Sequence, residues 1–417
     1  MQVLKFGGAS VQDIERIKQV EKIVETYTNE HLLIVVSAIG KTTNALEKVA
    51  FAFFEGRKEE AIELFSVIKN QHINYAKYLL VVKYNSCIQK YTDVFTEVEW
   101  LLHDKPVRSF DYYYDQIVCV GELLSTILVE HYFRECNLNS IWFDVRDVLK
   151  TDNNFRDANI DWKKTKESLS VIQFSEYPIY VTQGFIGATD DNESTTLGRE
   201  GSDYTAAIFA NLFNAEKLTI WKDVAGVMSA DPKQFPQAVL LKELSYDEVI
   251  EMAYYGAQVI HPKTIKPLHN KGIPLHVKCF LDISLPGTII HKKHVKNLPP
   301  IYVVKNNQVL VHLMSQDFSF VGEQPMIDLY EIFKTLQIKP NLLQTGAVSL
   351  QICLDDKTEK IEALAIAASS TFDVQVEKDL QLLTIRHYTN ELLEELIANK
   401  SVLLIQKTVD TVQVVFK

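Results

Sequence analysis

The first 290 residues alternate short runs of β-branched and aliphatic residues with longer stretches of helical periodicity, and this alternation restricts the fold more than any other feature. Val3–Phe6 and His31–Ala38 read as strands, the second through its Leu-Leu-Ile-Val-Val content. Ser140–Val145, Pro178–Ile186, Lys217–Trp221 and Ile273–Lys278 continue the series. Between them, Asp13–Thr26, most of 44–134 and segments near 203–213, 245–255 and 262–271 carry apolar residues at three- and four-residue spacing, as helices that bury one face do. Strands that are apolar at nearly every position have both faces covered. The expected fold is therefore α/β, an open, mainly parallel sheet sandwiched by helices.

The pattern changes after Leu285-Pro-Gly-Thr. His291–Pro300 is basic and ends in two prolines, so it reads as a linker. Shorter units follow: a strand at Gln308–Met314, a helix at Pro325–Leu336, a strand at Gly346–Leu354, a helix at Thr358–Ser369 and a strand at Phe372–Val376. Leu382–Arg386, Asn390–Asn399, Val402–Gln406 and Val412–Phe416 then read as strand, helix, strand and strand. They suggest two small α/β modules in tandem, the second cut short. The expected domains are 1–292, 300–378 and 379–417, a division in keeping with 417 residues, more than one ordinary core accommodates.

A net charge of −11 argues against a nucleic-acid partner. It still permits a bound anion, because local lysines and helix N-termini can hold phosphates. The longest apolar runs, such as 32–40, are far short of a membrane span. The chain opens directly on a strand-like run rather than a signal peptide. Its five cysteines have neither metal nor redox spacing, so reduced thiols, no bound metal cluster and a cytoplasmic location are expected.

Five segments carry chemistry. Lys5-Phe6-Gly7-Gly8-Ala9-Ser10 ends the first strand. Its glycines let backbone N–H groups approach a phosphate, and Lys5 offers a point charge to phosphoryl oxygens. It lacks the spacing of a Walker A loop. Thr196-Leu197-Gly198-Arg199-Glu200-Gly201-Ser202-Asp203 leads into an alanine-rich helix, with Ser202 as its natural N-cap and Arg199 as a planar clamp for a carboxylate. Trp221-Lys222-Asp223 opens a small-residue loop closed by Asp231-Pro232, where ligands bind in open α/β sheets. Ser37 and Thr42-Thr43 supply hydroxyls after the second strand. Glu122 lies inside a strongly apolar helix and must face a cleft or find a cation.

Taken together and in this order, these segments resemble the aspartate kinases of the amino-acid kinase family. KFGGAS resembles the family's Lys-Phe-Gly-Gly-Thr-Ser, and TLGREGSDYTAA its Leu-Gly-Arg-Gly-Gly-Ser-Asp-Tyr-Thr-Ala. KDVAGVMSADP and YGAQVIHPKT resemble its nucleotide-site segments. The resemblance implies transfer of the γ-phosphoryl of ATP, with Mg2+, to the β-carboxylate of L-aspartate, feeding lysine, threonine and methionine synthesis. It places Lys5 on the transferring phosphoryl, with Asp203 as a second catalytic residue. It assigns Ser37, Thr43, Glu122, Arg199 and Ser202 to aspartate, with Glu122 on the ammonium and Arg199 on the α-carboxylate. It assigns Gly7, Gly8, Lys222, Asp223, Met228, Lys233, Gln258 and Val259, together with Lys5, to ATP. The tail is then a pair of ACT modules, which implies a lysine or threonine effector and a homodimer.

An acceptor carboxylate is already ionised at pH 7, so no general base is required and His261 reads as structural. The sequence departs from the family at Glu200 (for glycine), Met228 (for an aromatic residue), Lys233 (for arginine) and Gln258 (for lysine). Phe320–Met326 replaces the family's effector turn. A kinase with another acceptor, such as glutamate or a nucleotide, and a catalytically weak amino-acid-sensing subunit are the alternative readings.

Overall fold

The computed structural model describes residues 1–417 apart from positions 28, 29, 173, 175, 258 and 259 and the side chain of residue 171. Its first ten strands are β1 Gln2–Phe6, β2 Leu32–Val36, β3 Ser140–Trp142, β4 Ile179–Gln183, β5 Ile186–Ala188, β6 Ser194–Thr196, β7 Leu218–Lys222, β8 Glu243–Ser245, β9 Leu275–Cys279 and β10 Thr288–His291. Eight of them form one sheet in the order β3-β4-β2-β1-β7-β9-β10-β8, while β5 and β6 pair as a hairpin. Pairing is parallel from β3 through β9. All five residues of β1, of β2 and of β4 are buried, as a sheet covered on both faces requires.

Strand order fixes where a ligand can bind. From β1 at the centre, the chain proceeds to β2 on one side and returns as β7 on the other. The loops after β1, β2, β4 and β7 therefore emerge at one edge and diverge around a crevice. The expected strand Pro178–Ile186 breaks at Gly184, where a Cβ would lie 2.5 Å from the Ser202 Cβ. The expected helical region 44–134 resolves into Thr42–Phe54, Lys58–Leu79, Tyr84–His103, Phe110–Val118 and Val120–Glu135. The last of these is buried at every position from Val120 to His131. Asp13 caps the helix Ile14–Glu25 by accepting from the Arg16 N–H at 2.9 Å.

The tail contributes β11 Ile301–Ser315, β12 Leu342–Thr345, β13 Ser349–Asp355, β14 Phe372–Arg386, β15 Val402–Lys407 and β16 Thr411–Phe416. They form an antiparallel sheet in the order β12-β13-β11-β14-β16-β15. Two segments read as separate strands, Phe372–Val376 and Leu382–Arg386, are one long strand. Exposed Glu377–Asp379 interrupt its apolar pattern where the ladder shifts register. Ile301–Lys305 pairs with Leu382–Arg386 and occupies the edge that the short second module leaves open. Among the described residues no further helix follows Asn390–Ile397. On that part of the sheet, the Phe235 ring stacks on Tyr302 at 5.1 Å beside Leu383, Ile385 and Val414.

Two compact units result. The first comprises Met1–Val227, Leu240–Ile250 and Val259–Val295, and the second Met228–Val239, Glu251–Gln258 and Lys296–Lys417. Thus two stretches preceding residue 292 cluster with the tail, because their side chains pack onto its sheet. No described helix is long and apolar enough to cross a membrane. All five cysteines are free thiols, and burial pushes those of Cys119 and Cys353 up to about 12.

Candidate active site

At the carboxyl ends of β1, β2 and β7, the first unit encloses a cavity of about 610 Å³. The turn after β1 forms its floor. A Cβ on Gly8 would lie 2.9 Å from the Ala38 carbonyl and 3.0 Å from that of Gly40, so only glycine lets the two loops close together. The helix Gly201–Leu212 points its N-terminus at the same space, with Gly201 and Ser202 on the wall. Unpaired N–H groups and the positive end of the helix dipole favour an anion there.

Lys5 is the penultimate residue of buried β1, and its Nζ lies 2.7 Å from the Asp203 carboxylate, 3.7 Å from which stands the Lys222 ammonium. Burial alone would raise the Asp203 carboxyl. Lys5 and Lys222 outweigh it and hold the group below the usual carboxylate range. Asp203 stays ionised and fixes both cations.

Glu122 has the opposite environment. One of its oxygens accepts from the Ala38 N–H at 3.3 Å, whereas Oε2 is buried with no hydrogen-bond partner among the described residues. Burial pushes the carboxyl up to about 8 against the pull of the Ala38 N–H and Lys5. A fully buried carboxylate this poorly compensated is suited to a cationic ligand group.

Asp115 is 0% exposed and organises the adjoining wall. It accepts from the Thr196 N–H at 2.8 Å, the Thr196 hydroxyl at 2.7 Å and the Arg156 N–H at 2.9 Å. Burial, only partly offset by these donors, pushes it up to about 6.

The family model described as the amino acid kinase family matches residues 1–279. Lysine-sensitive aspartokinase 3 of Escherichia coli is 30% identical over 395 residues, spanning 92% of this chain and 86% of that protein. The chain belongs to the amino acid kinase family, as an aspartokinase. Chloroplastic aspartokinase 1 of Arabidopsis thaliana is 32% identical over 372 residues, 85% of this chain and 63% of that one. The crystal structure of E. coli aspartokinase III with aspartate and ADP superposes with a TM-score of 0.79 at 27% identity, covering 100% of this chain and 96% of that one. This aspartokinase is therefore an ATP-dependent phosphotransferase with aspartate as acceptor.

Of the residues singled out from the sequence, Lys5, Gly7, Gly8, Ser37, Thr43, Glu122, Arg199, Ser202, Asp203, Lys222 and Asp223 all line the one cavity. Met228 and Lys233 fall in the second unit and are not among its lining. Gln258 and Val259 lie outside the described residues. Ser202 is not the helix cap. Glu200 occupies that position with φ +54, and its carboxylate accepts from the His261 N–H at 2.9 Å. His261 in turn caps the helix Pro262–Lys271 through the Lys263 N–H, a structural role. Tyr114, Arg156, Phe185 and Thr196 also line the cavity and were missed as site residues. Thr196 opens a motif singled out from the sequence without being assigned a role, and Arg156 carries no local signal.

Proposed function

We propose that this cavity seats aspartate between Glu122 and Arg199 and MgATP across Gly7, Gly8, Lys5 and the N-terminus of the helix Gly201–Leu212. Glu122 takes the ammonium, and Arg199 takes the α-carboxylate. Ser37, Thr43 and Ser202 orient the acceptor. Lys222 and Asp223 face the nucleotide. The β-carboxylate oxygen forms a bond to the γ-phosphorus while the bond to the ADP oxygen breaks. The products are 4-phospho-L-aspartate and ADP, and no proton needs to be removed. Lys5, held by Asp203, neutralises charge on the transferring phosphoryl.

Magnesium fits this site as a companion of the nucleotide. Among the described residues no group of three or more His, Cys, Asp or Glu side chains could hold a metal, and Asp203 is engaged by two lysines. Mg2+ is accordingly part of the substrate, carried on ATP phosphates that it neutralises. In this reading residues 300–378 and 379–417 are ACT-like modules that take an amino-acid effector and join two copies in a cytoplasmic homodimer. Exposed Phe318, Phe320, Tyr330 and Ile366 support that association.

The buried, unpartnered Oε2 of Glu122, on the same cavity as the Lys5–Asp203 pair, carries this assignment. Steady-state kinetics with a hydroxylamine trap for the acyl phosphate test it. Glu122→Ala and Arg199→Ala should each raise the KM for aspartate by about 2–4 kcal/mol equivalent while leaving that for ATP nearly unchanged. Lys5→Ala should lower turnover by roughly a hundredfold or more with the fold intact. Loss of ATP affinity alone in the first two variants would reverse the assignment.

A further inference from the structure

Arg156 has no place in the assignment above, yet it occupies the cavity wall under unusual conditions. Its φ is +69, a left-handed conformation that glycine adopts freely and a long side chain does not. Strained residues of this kind persist where the surroundings over-determine them, and they collect at ligand sites. Here buried Asp115 holds the Arg156 N–H at 2.9 Å and, through Thr196, fixes the neighbouring strand. The guanidinium lies over the Tyr114 ring at 4.5 Å, and Tyr114 itself lines the cavity and donates to Glu47 at 2.7 Å. Asp111, the ion-pair partner of Arg156 at 3.1 Å, is 53% exposed, so that pairing holds the guanidinium only weakly. The Arg156 backbone also touches the loop of the acceptor clamp: a Cβ on Gly198, next to Arg199, would lie 3.2 Å from the Arg156 carbonyl.

We propose that Arg156 is a specificity-determining residue that joins Arg199 about the α-carboxylate of the acceptor. Two guanidinium groups on touching loops form an arrangement suited to a carboxylate, which accepts from both. A neutral amide in its place leaves both cations uncompensated. This assignment rests on the acceptor end lying at Glu122 and Arg199.

The test compares L-aspartate with its α-amide, which keeps the ammonium and the reacting β-carboxylate. In the wild type, kcat/KM should strongly favour aspartate. Arg156→Met should reduce that preference roughly tenfold or more, through KM for aspartate and with KM for MgATP unchanged. Arg156→Lys should restore part of it. Arg156→Gly suits the backbone at φ +69 and carries the same test should the methionine variant fail to fold. An unchanged preference in these variants overturns the role of Arg156. Arg199→Met separates the two readings. If it raises KM for aspartate and the Arg156 variants do not, only Arg156 is misassigned. If neither does, the acceptor end lies elsewhere.

Discussion

Burial pushes the Glu122 carboxyl up to about 8 against the pull of the Ala38 N–H, its own backbone N–H and Lys5, so without a ligand the group should be mostly protonated at pH 7. An ammonium placed beside Oε2 reverses the balance, so aspartate binding should expel that proton. Apparent affinity for aspartate should accordingly climb as pH rises from 6 to 8, by at most about tenfold per unit, and then level off. Calorimetry in buffers of different ionisation enthalpy reads the released proton directly. Equal heats in all buffers would remove Glu122 from the ammonium site. The same shift acts on folding. A carboxyl raised above its ordinary value of 4.5 binds its proton more tightly in the folded chain, so the stability it confers is lost as pH rises from 4.5 through 8. Glu122→Gln should flatten that part of the pH–Tm profile while it weakens aspartate binding. Glu122 was legible in the sequence because an acid in an apolar helix demands an explanation. Asp115 and Arg156 were not. Their partners lie 41 and 81 residues away along the chain, and no short motif records such pairings.

Elements set the cavity's shape through two close approaches. Gly8 sits where the turn after β1 meets the loop after β2, with backbone carbonyls of Ala38 and Gly40 at 2.9 and 3.0 Å from any added Cβ. Backbone cannot swing aside as a side chain can. Gly8→Ala should therefore cost about 1–3 kcal/mol of stability and raise KM for ATP, read as a lower Tm together with nucleotide kinetics. An unaltered Tm and KM would show that the two loops have room to separate. The strands of the first sheet were readable because burial on both faces leaves an unbroken apolar run. The extent of β11 and β14 was not, since Asn306–Asn307 and Glu377–Asp379 interrupt each pattern with exposed polar residues at the register shift. The cap of the helix Gly201–Leu212 was misplaced for a local reason. Serine is the commoner cap, but Glu200 adopts φ +54 and takes the position, tied to His261.

For the whole molecule, the decisive fact is that the second unit is not built from the tail alone. Met228–Val239 and Glu251–Gln258 belong to it. Phe235 stacks on Tyr302, the Ser229 carbonyl accepts from the Tyr302 N–H at 2.8 Å, and Glu251 pairs with Arg386 at 3.2 Å. Removal of residues 300–417 takes away Tyr302 and Arg386 and leaves Phe235 without its sheet. Such a truncation should aggregate rather than yield an unregulated kinase, because newly exposed aromatic surface is an association hazard. Light scattering and pelleting of the truncated chain, beside the intact chain, check this outcome. A soluble, fully active fragment would show that the two stretches hold their fold without the tail. Control by an effector follows the same physics, since a ligand shifts an equilibrium only by its differential affinity for two arrangements. In Phe320–Met326, the segment that the sequence resemblance sets against the family's effector turn, Phe320 is exposed and Glu323–Met326 form the first turn of the helix Glu323–Thr335. A first turn presents backbone N–H groups to an anion, but these residues bring no cluster of acceptors for the ammonium of an amino acid. Titration of lysine and threonine, singly and together at subsaturating aspartate, should give weak, hyperbolic inhibition in the millimolar range. Submillimolar, sigmoidal inhibition by either amino acid would establish that a strong effector site exists despite the altered segment.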